Sequence, residues 1–106
     1  MFDKNAIARA VKDELQRLYG DRLAKVILYG SYARGDFREE SDMDFLAVLN
    51  DEKINIGKEL RFMNKPLYQI SDDYGIALSS HPTTLGRWKN SRFMFYENVR
   101  REGVEV

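Results

Sequence analysis

Two short apolar runs, Ala24 to Tyr29 (AKVILY) and Met43 to Leu49 (MDFLAVL), constrain this chain more than any other feature. The first has a β-branched centre, is too brief for a helix, and is closed by Gly30; the second is bounded by Asn50-Asp51. Both read as strands. The segment between them, GSYARGDFREES over residues 30–41, mixes glycine, serine and charge, and is a connection.

Helical spacing surrounds this pair. From residue 4 to 19, Ile7, Val11, Leu15 and Leu18 recur at steps of four and three, with Asp3 placed as N-cap and Gly20 as the stop. Ile56, Leu60, Met63, Leu67, Ile70 and Tyr74 repeat the pattern, but Pro66 removes a backbone donor and crowds the preceding turn, so a kinked helix or two short ones are expected. Ile76 to Ser80 reads as a third strand and His81-Pro82 as a break. Ser91 is placed to cap a last helix whose Phe95, Tyr96 and Val99 face inward before Gly103. This order predicts an α/β (α+β) domain with helices packed on a small mixed sheet, whose strand order is not readable. With 106 residues and 43% hydrophobic content there is material for one core, hence a single domain over 1–106 with no room for a second, substrate-binding one.

Seventeen basic residues balance seventeen acidic ones and the pI is about 6.6, so no global field draws the chain to nucleic acid or anionic lipid. The lack of cysteine excludes disulfides, thiolate metal sites and cysteine nucleophiles. The opening Met1-Phe2-Asp3-Lys4 reaches Asp13 and Glu14 before any apolar run, unlike a signal peptide, and the apolar stretches are strand-sized, so a cytoplasmic protein is expected. Any phosphate chemistry must then come from a local site.

That site is expected around the connection. Gly30 has no Cβ, so a ligand can approach its backbone, while the Ser31 hydroxyl and the following N–H groups can point donors at an anion, especially if a helix starts there. Asp42 and Asp44 are two apart, which on a strand sends both carboxylates to one face and Met43 and Phe45 to the other. Convergent carboxylates repel unless a cation lies between them, and Mg²⁺ suits such ligands when water and substrate phosphate complete its shell. In-line displacement at an α-phosphate with loss of pyrophosphate is the chemistry implied.

Competing motifs fail. Gly30 and Gly35 match half of a P-loop, but Asp36-Phe37 stands where Lys and Ser or Thr are required. A calcium loop starting at Asp42 has Leu46 at its fifth position and Lys53 at its twelfth. Arg34 has two readings, a phosphate clamp or a partner for Asp36, Glu39, Glu40 or Asp42. His81 is assigned to a loop, and Trp88, Phe93, Phe95 and Tyr96, which could stack a base, are assigned to core or a contact surface.

Gly30-Ser31, the Ala33-Arg34-Gly35 triplet, Ser41-Asp42 and Asp44 together resemble the minimal nucleotidyltransferase signature of the DNA polymerase β-like superfamily, and the closing SRFMFYENVRREGVEV resembles that family's final helix. The resemblance implies phosphate binding by Gly30 and Ser31, and metal binding and catalysis by Asp42 and Asp44; Arg34 is added to the phosphate site on the first of its own two readings. It also implies Mg²⁺, ATP or another nucleoside triphosphate as substrate, and AMP transfer to a protein hydroxyl of a HEPN-type toxin, the chain acting as antitoxin. Homo-oligomerisation stays open. One departure concerns a third carboxylate, which the family places on the strand after the long helix and where this chain is expected to have Ala77, with Asp72 and Asp73 just before. Since that acid can serve as a base, the alternative is a binding module that neutralises its partner by occlusion. Transfer to a small molecule such as an aminoglycoside is less in keeping with so short a chain.

Overall fold

The computed structural model describes residues 3–38 and 40–106, so Glu39, one of the acids offered to Arg34, lies outside the described residues, as do Met1 and Phe2. Helix α1 is Lys4–Tyr19. Its N-terminus is capped by Asp3, whose carboxylate accepts from the Asn5 N–H at 2.9 Å and the Ala6 N–H at 3.4 Å. A 3-10 turn, Gly20–Arg22, leads into β1, Leu23–Tyr29. A one-turn helix α2, Ser31–Arg34, follows at once, then β2, Met43–Leu49.

Helix α3, Ile56–Tyr74, runs unbroken with Pro66 inside it, which sets aside the two-helix expectation. Buried Met63 and Leu67 flank the proline and hold both halves on the same surface, offsetting the backbone bond that Pro66 cannot make.

Two expectations for the C-terminal third need correction. Strand β3 is Leu78–Thr84 and passes through His81-Pro82 without a break. The sheet order β3-β2-β1-β4 makes β3 an edge strand, and an edge tolerates a proline because one side of the strand needs no donor. The segment after it forms two helices: α4, Leu85–Asn90, capped by Thr84, and α5, Met94–Glu102. Ser91 therefore ends α4 instead of starting the last helix, and its hydroxyl accepts from the Phe93 N–H at 3.3 Å. Of the side chains expected to face inward, Val99 is buried, Tyr96 is partly so, and Phe95 is exposed.

Strand β1 pairs antiparallel with β2 and with the two-residue β4, Val104–Glu105, while β2 and β3 run parallel, a pairing that needs the crossover supplied by α3. The register puts Val26, Leu28, Met43, Phe45, Ala47 and Leu49 on one face, under α1 and α3. Burying Ile7, Val11 and Leu15 there stabilises the fold by roughly 1.5–3 kcal/mol each. The other face carries Ile27, Leu46 and Val48 under Val99, Leu85 and Trp88 of α4 and α5. Among the described residues no helix is long and apolar enough to cross a membrane. The result is a small mixed α+β domain whose active-looking residues all fall on this second face or at its rim.

Candidate active site

The two halves of the sequence motif meet in space. Gly30 has φ +77 and ψ −155, a conformation that L side chains rarely adopt, and a Cβ built on it would lie 2.4 Å from Oδ2 of Asp44. The Asp44 carboxylate thus packs directly on the backbone of the turn. Beyond Gly30 the chain turns into α2, with the Ala33 and Arg34 N–H groups both donating to the Gly30 carbonyl at 3.1 Å. Ser31 is the first helical residue, ahead of those bonds, at the positive end of the turn. The turn is braced from beneath by Tyr32, which stacks on Phe37 at 4.2 Å and whose carbonyl accepts from Lys4 Nζ at 3.3 Å.

Asp42 is exposed just before β2, and Asp44 is half-buried within it; Met43 and Phe45 between and beyond them are fully buried on the other face, as the alternation required. Burial, with the charge of Asp42 beside it, pushes the Asp44 carboxyl above its ordinary value, and the nearby His81 and Arg34 pull part of the way back. A half-buried carboxylate beside a second one suits an added cation. Among the described residues no group of three His, Cys, Asp or Glu side chains is placed to hold a metal, and Mg²⁺ accepts one or two carboxylates when phosphate oxygens and water complete its octahedron.

The expected third acid is absent. Ala77 precedes β3, where its carbonyl accepts from the Met43 N–H at 3.0 Å, and the residue in register with Asp44 is Ser79. Asp72 and Asp73 are exposed in the last turns of α3, and Asp73 accepts from Gln69 at 2.9 Å. Neither joins Asp42 and Asp44 in a cluster of three.

Arg34 makes ion pairs of the kind its second reading offered. Its guanidinium donates to Asp36 at 3.2 Å, as the sequence offered, and to Glu102 of α5 at 3.5 Å, which it did not. The ion pair ties the turn to a helix sixty-eight residues away.

Sequence reasoning left four side chains out of the site. His81 lies in β3 on the same face as Asp44, and its Nδ1 is 3.1 Å from the Tyr29 hydroxyl, so it belongs to the site's surroundings and not to a loop. Tyr29 is in register with Asp44, and burial together with that charge pushes its phenol up to about 12. Phe95 meets Tyr29 edge-on, with ring centroids 5.5 Å apart, and Glu102 holds Arg34. The only local hint was the position of Tyr29 beside Gly30; the other three depend on contacts between distant segments. Tyr29, Gly30, Arg34, Phe95, Asn98 and Glu102 enclose a cavity of about 230 Å³. Larger hollows of about 390 Å³ between α3 and β3, and about 490 Å³ between α1 and β4, contain none of the motif residues.

Comparison with known proteins gives the family and the fold. Residues 8–95 match the nucleotidyltransferase domain family. Over 100 residues, 94% of this chain and 95% of the relative, the chain is 34% identical to a protein of Methanocaldococcus jannaschii named as a candidate protein adenylyltransferase. Its fold superposes with a TM-score of 0.63 on a crystal structure of a toxin-antitoxin with AMP-PNP, at 16% identity, covering 98% of this chain and 72% of that one. It superposes equally, at 0.63, on the crystal structure of a candidate nucleotidyltransferase from Sulfolobus solfataricus, at 17% identity and 96% and 83% coverage. At such identities the structural likeness is one of fold.

Proposed function

Because the chain belongs to the nucleotidyltransferase domain family and is thereby a nucleotidyltransferase, we propose that it transfers AMP from ATP to a hydroxyl of a HEPN-type toxin partner, with Mg²⁺, and so acts as an antitoxin in the cytoplasm. The observation that carries this reading is the packing of the Asp44 carboxylate on the Gly30 turn, with Asp42 two residues away, which joins a phosphate cradle to a pair of hard anionic ligands. The relative named for protein adenylylation and the fold shared with a toxin-antitoxin structure containing AMP-PNP support the choice of substrate and partner.

In this reading Gly30 and Ser31 receive the polyphosphate, Asp42 and Asp44 hold Mg²⁺, and Arg34 stands at the edge of the same turn. Mg²⁺, when bound, supplies the positive charge that phosphate oxygens need during displacement. The acceptor oxygen bonds to the α-phosphorus, the bond to the β-bridging oxygen breaks, pyrophosphate leaves, and the hydroxyl proton is released. Tyr29 and Phe95 wall the site on one side.

A second reading, occlusion of the partner without catalysis, is favoured by one observation, the presence of Ala77 and Ser79 where a third acid is expected. The two separate in one experiment. The HEPN-type partner is incubated with this chain and ATP labelled at the α-phosphate, with and without Mg²⁺, for wild type and the Asp42→Asn, Asp44→Asn double variant. Label on the partner that requires Mg²⁺ and both aspartates is the expected result; a double variant that neutralises the toxin as well as wild type would establish occlusion instead.

A further inference from the structure

We propose that the cavity between the Gly30 turn and α5 is a nucleobase subsite, with Phe95 as the platform for the base and Asn98 as the group that reads its edge. The inference rests on the nucleotidyltransferase reading and adds to it the part of the nucleotide that the motif leaves unassigned.

Size comes first. At about 230 Å³ the cavity is below the ~300–1,000 Å³ of pockets that enclose whole drug-sized ligands, so it takes one fragment of a nucleotide. Its chemistry selects the fragment. Arg34 is already held by the Asp36 and Glu102 carboxylates, and Glu102 itself faces the cavity, so an additional phosphate gains little there. The apolar part of the wall is aromatic: Phe95 is 42% exposed yet braced edge-to-face by Tyr29 at 5.5 Å and Tyr96 at 5.2 Å, a fixed ring with surface to spare. Such a ring stacks a planar base.

Asn98 and Glu102 are four apart on α5 and therefore share a face of the helix. Asn98 Oδ1 accepts from Arg101 at 2.9 Å; since Arg only donates, this fixes the carboxamide and leaves its amino group as the donor. A donor beside a carboxylate acceptor matches the N7–N6 edge of adenine, an acceptor next to an amino donor. On the corresponding edge guanine presents two acceptors, one of which would oppose Glu102.

Position excludes the acceptor. In-line attack brings the acceptor oxygen in opposite the leaving pyrophosphate, hence away from the Gly30-Ser31 turn, while this cavity has Gly30 and Arg34 of that turn in its wall.

The test is equilibrium binding of ATP, GTP and inorganic tripolyphosphate in Mg²⁺ to wild type, Phe95→Ala and Asn98→Ala. Expected is ATP binding about tenfold or more tighter than tripolyphosphate in wild type, with Phe95→Ala losing most of that margin while its tripolyphosphate affinity stays within about twofold. Asn98→Ala narrows the ATP-to-GTP ratio, and because its side chain bonds only to exposed Arg101 among the described residues, it can be truncated without touching the core if Phe95→Ala fails to fold. A margin and a ratio that survive in whichever variants fold overturn the proposal, as does a wild type that binds ATP no better than tripolyphosphate; both outcomes leave the phosphate site standing. Absence of binding by ATP and tripolyphosphate alike would bring down the nucleotidyltransferase reading, and this inference with it.

Discussion

On the sheet face covered by α1 and α3, the β2 side chains Met43, Phe45, Ala47 and Leu49 are all apolar and fully buried, whereas on the face covered by α4 and α5 the same strand carries a half-buried carboxylate, Asp44, beside Leu46 and Val48. The first face is closed by two long helices. The second is covered by a six-residue helix and a nine-residue helix, which leave a cavity and expose Phe93 and Met94. One strand thus serves two purposes, because alternate residues belong to different environments. The dry face supplies the stability that lets the other hold groups in unfavourable states, among them an Asp44 carboxyl and a Tyr29 phenol both pushed up by burial.

The contrast can be broken by four substitutions, in order of expected effect. Phe45→Ala opens the dry face and should cost about 3–5 kcal/mol in denaturant unfolding, a large part of a small domain's stability; a loss under about 1.5 kcal/mol would mean that this face is less tightly packed than described. Gly30→Ala acts on the other face: a positive φ and a contact with Asp44 should cost about 1–3 kcal/mol, and displacement of the carboxylate should slow AMP transfer about 100-fold or more. Tyr96→Phe removes the 2.7 Å partner of the Thr83 hydroxyl, which is 1% exposed, and should cost about 1 kcal/mol with transfer little changed.

The smallest effect has the opposite sign. The folded-state pKa of Asp44 is raised, so the unfolded chain gives up this proton more readily, and stability falls as pH rises from the ordinary value of 3.8 through the raised one. Well above both values that loss is complete. Asp44→Asn removes it, and the variant should melt slightly higher than wild type without ligand at pH 7, with the difference vanishing below about pH 4. A variant that melts lower at pH 7 would show that Asp44 stabilises the folded protein through contacts that outweigh its desolvation.

What could be read from the sequence was what depends on near neighbours. Asp3 and Gly20 bound α1 because capping is decided within a turn or two, and Met43 and Phe45 turn away from Asp44 because strand alternation is local. The break expected at His81-Pro82 failed because it depends on β3 being an edge strand, a fact of sheet order. With the break went the placing of His81, which was assigned to a loop and lies beside the carboxylates. Helix α4 is only six residues long, too short for a periodic signal, and β4 pairs just two residues with β1. Glu102 reaches Arg34 only because α5 folds back over the sheet, and no spacing rule joins positions sixty-eight apart.

The antiparallel pairing of β1 with β2 also bears on how the molecule assembles. Tyr29 and Asp44 come into register by closing a short loop, while Leu28 meets Val104 only after a loop a little over two doublings longer, which costs about 1.4 kcal/mol more in chain entropy. The glycine turn and the two carboxylates can therefore come together early, from a contiguous stretch of chain. The wall formed by Phe95, Asn98 and Glu102 comes from a distant segment, and forms once the last third of the chain docks. The motif residues and the wall of the cavity would thus be placed at different moments of folding, with the hydrophobic face formed by α1 and α3 as the template for both.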